Sequence, residues 1–412
     1  MTTQFKGPTG WAIPIWLVPA LAASTMLSQF LRTSNGVIAP ELMADLAISP
    51  ERLGVANGAF FIALAIMQVP VGMLIDRLGP RRTVSWLTWI AVAGCGLHAV
   101  AEDGTQLSAA RFLLGIGCGG NFMAAVVLYS RWHAPEHLTQ RLSVMFAMSQ
   151  GGTLLAATPL ALSSDAFGWR TTFVGVAIVT ALIGIGYFLG VRDHPDSTNK
   201  QAKPEPIRKV IGGLADVIRS PGLAPIFAMH LIAYASMLTV LGLWAAPYLH
   251  DVHGMDSVAR GNVMFVMAAA QVFGVLAYGR LEPILGSKKR TVITGGLGTV
   301  LVMAILALWP SPPLWAAAGL LVMHCLIASY GIIIVAQGRG LFSDHLAGRG
   351  VTTVNLAQVT GCFVLPIMTG ALIGAFPEIN GQVPESAYRA TFACIGICVV
   401  LGLVAYTKSP KT

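Results

Sequence analysis

Long apolar runs alternate with short polar turns from one end of the chain to the other. Twelve stretches, most of them about 20 residues or longer, have the length and composition to cross a bilayer. They lie at roughly 16–44, 52–76, 83–101, 107–131, 141–163, 171–191, 223–249, 258–281, 291–309, 312–338, 350–376 and 387–407. Inside lipid every backbone donor and acceptor needs a partner within the protein, so spans of this kind are predicted to be helices. The pattern therefore predicts an all-α membrane protein of twelve transmembrane helices. It breaks once, from Arg192 to Gly222, where Lys, Asp, Pro and Ser replace apolar periodicity. That break predicts a cytoplasmic linker over 196–222 between two units, 1–195 and 223–412. Within it, Ile207 to Arg219 has the pattern of a surface amphipathic helix. The first span is too long for a cleavable signal peptide and lacks a small-residue processing site.

The two units repeat one another. His137-Leu138-Thr139-Gln140-Arg141 ahead of the fifth span recurs as His345-Leu346-Ala347-Gly348-Arg349 ahead of the eleventh, and Gln150 and Gln358 follow at the same offset. Ala39-Pro40-Glu41-Leu42 matches Ala246-Pro247-Tyr248-Leu249. Trp169-Arg170-Thr171-Thr172-Phe173 matches Tyr388-Arg389-Ala390-Thr391-Phe392. These matches fall in one order, which predicts a duplication into two pseudo-symmetric six-helix bundles.

Composition agrees with this picture. A chain of 412 residues that is 55% hydrophobic and 11% charged, with a mean hydropathy of +0.70, is no soluble domain. The net charge of +8 is topological rather than a sign of nucleic-acid binding. With both termini placed in the cytoplasm, Arg52, Arg111, Arg170, Arg260 and Arg389 fall on the outer side and Arg32 inside the membrane. All the other Lys and Arg residues fall on the cytoplasmic side. Cys95, Cys118, Cys325, Cys362, Cys394 and Cys398 all lie in predicted spans, without CxxC spacing, and are expected to pack rather than to bind metal or form disulfides.

A dense charged turn, GMLIDRLGPRR from Gly72 to Arg82, sits between the second and third spans. It is echoed by GVLAYGRLEPILGSKKR from Gly274 to Arg290. This pattern resembles the signature loop of major facilitator superfamily transporters, and the resemblance runs the length of the chain. It is closest to the bacterial organic-anion and sugar-phosphate permease-like branch. The resemblance implies two six-helix bundles working by alternating access, with a monomer and no cofactor expected. The compact chain and short loops point to a bacterial-type inner membrane, and no GxxxxGK(S/T), HExxH or loop Ser/His/Asp set suggests enzymatic chemistry. In the family the loop aspartate caps and pairs across to neighbouring helices. Asp76 matches it, and Arg77, Arg81 and Arg82 match its basic partners, while Gly72 and Gly79 permit close helix approach and a tight turn. The plainer alternative is that these charges only anchor topology. In the second half Tyr278 stands where Asp76 stands.

Charged groups within a bilayer are costly and functional by default. None of the 18 acids falls at mid-membrane, which argues against a cationic substrate. One arginine does. Arg32 lies near the middle of span 1, eight residues before Pro40, with no acid in its own span to neutralise it. Its planar fork suits a carboxylate or phosphate. In related organic-anion and organophosphate transporters an arginine at this place binds substrate. The exchangers carry a second one in span 7, where this chain has Thr239, which favours a less charged organic anion. The alternative is an arginine bonded to helix carbonyls.

The resemblance implies that spans 1, 4, 7 and 10 line the path. Polar residues there are Asn35, Asn121, Tyr129, His230, Tyr234, Trp244, His324 and Tyr330, joined by Gln150 and Gln358 at symmetric places. His324, and after it His230, are candidates to carry a coupled proton. His98 is expected to be structural. Gly115, Gly117, Gly119 and Gly120 imitate a nucleotide fingerprint, but no strand precedes them, and helix packing is the simpler account. The sequence thus points to a secondary transporter of a small organic anion. The alternatives are a neutral or zwitterionic solute, with Arg32 structural, or a transporter-like sensor or assembly factor.

Overall fold

A computed structural model describes residues 15–132, 135–193, 222–339, 341, 344–379 and 382–410, with the side chains of 135–140, 143 and 344–352 left out. The linker before Gly222, with Ile207 to Arg219, lies outside the described residues. So do the side chains of the His137–Gln140 and His345–Arg349 repeat. Among the described residues, twelve helical spans follow one another. They are α1 (Leu17–Val37, resuming as Ala39–Leu46), α2 (Pro50–Leu78), α3 (Pro80–Ala99), α4 (Gly104–Trp132), α5 (Pro135–Leu155, resuming as Thr158–Phe167) and α6 (Trp169–Gly190). The second six are α7 (Leu223–Asp251), α8 (Ser257–Leu285), α9 (Lys288–Leu308), α10 (Leu314–Arg339), α11 (Asp344–Gly374) and α12 (Glu385–Tyr406). Among the described residues, nine are long and apolar enough to cross a membrane on composition alone. The other three, α1, α3 and α5, are interrupted or carry polar residues.

Two breaks in α1 and α7 come from matched prolines. Proline lacks an N–H and its ring crowds the carbonyl four residues back. Ahead of Pro40 the chain leaves the helix at Ile38, with φ −99° and ψ 16°. Ahead of Pro247 it opens a π-turn over Val240–Trp244. Aspartates cap other helices: Asp103 accepts from Thr105 N at 2.7 Å and Gln106 N at 2.8 Å, and Asp256 from Ala259 N at 2.8 Å. Large apolar side chains face outward on α3, α6, α9 and α12, among them Trp86, Leu182, Leu301 and Leu401. The most apolar window of α7 is 72% buried and that of α6 only 22%, so α7 is interior and α6 peripheral.

The repeats prove to be paired mechanical ties. One end of the bundle, the loop end, carries the α2–α3 turn, and the other, the far end, carries the α1–α2 turn. At the far end Trp169 Nε1 donates to Asp45 Oδ2 at 2.8 Å, while Tyr388 donates to Asp251 Oδ2 at 2.5 Å. Arg170 reaches the Ala101 carbonyl at 3.1 Å, and Arg389 reaches that of Ala307 at 2.8 Å. At the loop end Arg81, Arg131 and Trp132 hold the chain leaving α6, just as Lys289 and Gln337 hold the chain leaving α12. One tie, rebuilt from different side chains, fixes the first span to the sixth and the seventh to the twelfth, and the other fixes the end of the third to the sixth and of the ninth to the twelfth.

The two halves meet at the far end. There Gly54 of α2 lies on the backbone of Pro366 and Gly370 in α11, Gly36 of α1 on that of Gly242 in α7, and Gly261 of α8 on Ala161. A methyl group on Gly36 would overlap the Gly242 carbonyl, so glycine is what permits this crossing. The glycines of α4 serve the same end within one half: Gly115 packs on Phe60 and Ala63, and Gly117 on Ala91, as expected of helix contacts rather than of a nucleotide site.

Candidate functional site

The polar stripe of α1 is set by helix geometry. Gln29, Arg32 and Asn35 recur every three residues and so share one face. Arg32 is half-buried, and its Nε has no hydrogen-bond partner. The phenol of Tyr234, on α7 of the opposite half, lies beside its guanidinium. The thiols of Cys118 on α4 and Cys362 on α11 are also close enough to feel its charge. No ion pair joins Arg32 to a carboxylate among the described residues. One turn further on, Asn35 is fully buried, with neither amide atom satisfied.

Symmetric pairs flank this centre toward the loop end. Gln150 of α5 accepts from Gln29, a residue the sequence analysis missed, although its spacing from Arg32 could have found it. Gln358 of α11 lies against His230 of α7. Each pair sits by a seam where a glycine meets a backbone carbonyl: Gly152 on Met26, and Gly361 on Leu231. Asn121 donates to the Ser24 carbonyl at 3.0 Å, tying α4 to α1. His324 is buried on α10, its Nε2 3.4 Å from the Ser236 carbonyl and its Nδ1 unpartnered. Trp244 donates to Thr369 at 2.8 Å, and Tyr330 packs edge-on against Tyr278. Tyr129 is buried toward the loop end of α4. His98 stacks on Phe173 with ring centroids 3.8 Å apart, a packing role.

Two arginines counted on the outer side, near the ends of their predicted spans, lie buried in the bundle. Arg111 is fully buried inside α4, where it donates to the Leu31 carbonyl at 2.6 Å and to Asn57 Oδ1 at 3.0 Å, over the ring of Phe60. Arg260, nearly as buried, pairs with Glu41 across the halves. Burial is possible because a carbonyl and an amide satisfy one guanidinium and a carboxylate the other. Arg111, like Arg32, has no carboxylate partner among the described residues.

At the loop end, Asp76, Arg77 and Arg82 are exposed. The carboxylate engaged in this turn is that of Asp193, beyond α6, which accepts from Arg81 N at 2.7 Å and so caps α3 from a distant part of the chain. Gly79, at φ 82°, makes room: a side chain there would collide with Asp193 and strain the backbone. The Arg81 side chain donates to the Phe188 carbonyl at 2.6 Å. Gly72 has only Met123 within van der Waals range of where a side chain would start. In the second half Tyr278 donates to the Ile327 carbonyl at 2.7 Å, an internal α8–α10 tie in place of a charge.

A cavity of about 430 Å³ opens at the far end of the second half, lined by Asp251, His253, Ser311, Gln382 and Glu385 among others. Its carboxylates suit an anion poorly, and it lies away from Arg32.

A family profile described as Major Facilitator Superfamily matches residues 21–366. The quinolone resistance transporter of Acinetobacter baumannii is 24% identical over 95% of this chain and 93% of its own length. The hexuronate transporter of Bacillus subtilis is 24% identical over 93% of each. Among solved structures, a bacterial homologue of the human lysosomal transporter Spinster, inward-facing and unoccupied, superposes with a TM-score of 0.78 at 18% identity, covering 95% of both chains. With twelve spans in two symmetric halves and a family match over most of its length, this chain belongs to the Major Facilitator Superfamily and is a transporter, not an enzyme.

Proposed function

We propose that this protein moves a small organic anion of the carboxylate type by alternating access, with Arg32 as the group that takes the anion's charge. The observation that carries this is the half-buried Arg32 guanidinium, set between the halves beside Tyr234 with no carboxylate paired to it among the described residues. Arg111 of α4, bonded to the Leu31 carbonyl of α1, adds a second buried positive charge without a carboxylate partner among the described residues. In a low-dielectric interior two such charges favour an anion strongly. The Bacillus relative is named for a hexuronate, which is itself a carboxylate.

Around that centre, Asn35, Asn121, Gln150, Tyr234, His324 and Gln358 supply hydrogen bonds to the rest of the substrate. His324, or after it His230, takes the coupled proton. The signature turn, through Gly72, Asp76, Arg77, Gly79, Arg81 and Arg82, sets the balance between the two open states. The Lys and Arg bias supports a cytoplasmic loop end and cytoplasmic termini; in this reading the membrane is a bacterial-type inner membrane and the chain works as a monomer.

The test is uptake of radiolabelled monocarboxylates, dicarboxylates, phosphate esters and neutral sugars into proteoliposomes, with and without a pH gradient. Thermal shifts of the purified protein against the same compounds run alongside. A carboxylate should be taken up and should raise the melting temperature with concentration. Uptake of neutral sugars alone would end the anion assignment.

A further inference from the structure

Glu41 lies on α1, nine residues beyond Arg32, and Arg260 lies on α8. Glu41 accepts from Arg260 Nη2, joining the first half to the second. The Arg260 side chain is only 2% exposed and that of Glu41 29%, so water gives the pair little screening. Beside it Thr158 donates to Asn262 Oδ1 at 2.9 Å, and Gly261 lies against Ala161. Three consecutive residues of α8, Arg260 to Asn262, thus grip two short segments of the other half. Both segments lie beyond helix breaks: Ala39–Leu46 beyond Ile38, and Thr158–Phe167 beyond Ala156 and Ala157.

The pair is held at one point. Glu41 Oε2 and Arg260 Nε are both buried and unpartnered, so the two-bond fork that an arginine and a carboxylate can form is not made. A single-point pair between charges this buried is strongly attractive while the halves touch. It is lost in one step when they part and water enters.

We propose that Glu41 and Arg260 form the latch that shuts the transport path at the far end, releasing when the halves separate there. The proposal needs only the transporter assignment. It stands whether or not the substrate is an anion.

It is tested in the full chain reconstituted in lipid nanodiscs, in a background with Cys394 and Cys398 replaced by Ser. Spin labels go at two exposed far-end positions in opposite halves, Glu102 and Pro310. The parent should give mainly a short inter-label distance. Glu41→Gln and Arg260→Gln should each move the population toward a longer distance, lowering the closed-to-open ratio by about tenfold or more. The swap Glu41→Arg with Arg260→Glu should return it toward the parent. Glu41→Asp, which keeps the charge but shortens the reach, should give a smaller shift of the same sign and covers any failure of the Gln variants to fold. An unchanged distance distribution in the neutral variants, or a swap no closer to the parent than either single change, overturns the latch.

Discussion

Replacing Arg32 separates a substrate-binding arginine from a structural one, because the two fail in opposite ways. A structural arginine stabilises the protein, so its loss should lower the melting temperature. Arg32 is half-buried with Nε unpartnered and no ion pair among the described residues, so its charge is a burden on the ligand-free fold. Arg32→Gln should therefore leave the ligand-free melting temperature level or raised, while removing the stabilisation that a carboxylate gives. The binding loss follows from the fork. Each hydrogen bond to a charged group contributes about 1.5–3 kcal/mol, and about 1.4 kcal/mol is a factor of ten. Arg32→Lys keeps the charge but loses one of two parallel bonds, so Kd should rise roughly 10- to 150-fold. Arg32→Gln loses the charge as well and should exceed roughly a hundredfold. Tyr234→Phe gives up one neutral hydrogen bond and should cost roughly two- to tenfold. Titration calorimetry on purified protein reads the affinities, and ligand-free melting curves read the fold. If Arg32→Gln binds the carboxylate as the parent does and melts lower, Arg32 is a structural residue and the anion assignment fails.

Four further outcomes follow from the geometry. Asp193→Ala removes the cap on α3 and should destabilise by about 1 kcal/mol. Asp76→Asn, at an exposed position, should melt like the parent but transport more slowly, and parent-rate uptake would reduce Asp76 to a topology anchor. Gly361→Ala drives a methyl into the Leu231 carbonyl and should cost about 1–3 kcal/mol or more, visible as lost monodisperse protein in size-exclusion chromatography. Gly279→Ala, which meets nothing within 4 Å, should be harmless. His253, in the turn after α7, is held below the ordinary histidine pKa of 6.5 by burial, against the opposing pull of Glu385. A neutral imidazole is thus favoured in the fold. Its contribution is complete above about pH 6.5 and drains away as pH falls below that. His253→Gln should flatten the acid limb of the melting temperature against pH, and an unaltered slope would show that other groups set it.

Much of the architecture was written in the sequence because lipid imposes a one-dimensional rule. A backbone crossing hydrocarbon must be helical, and an apolar run of sufficient length announces itself. The duplication was legible for the same reason: Trp169-Arg170 and Tyr388-Arg389 keep their order, and each pair performs the same two ties to Asp45 and Ala101 or to Asp251 and Ala307. Arg32 was also legible, since a charge deep in an apolar run needs an account whatever surrounds it.

What sequence alone could not assign were groups whose meaning depends on a partner far along the chain. Arg111 looks like a charge near a span end, and only the packing of α1 and α2 against α4 supplies the Leu31 carbonyl and Asn57 amide that let it lie buried. Asp193 looks like the start of a polar linker, yet it caps α3 because the end of α6 returns beside Gly79. Glu41 looks like an ordinary outer acid until α8 brings Arg260 to it. Hydropathy fixes which segments enter the membrane, because transfer from water is a property of each residue. Which buried charges are neutralised, and by whom, is a property of pairs, and only the tertiary structure brings the pairs together.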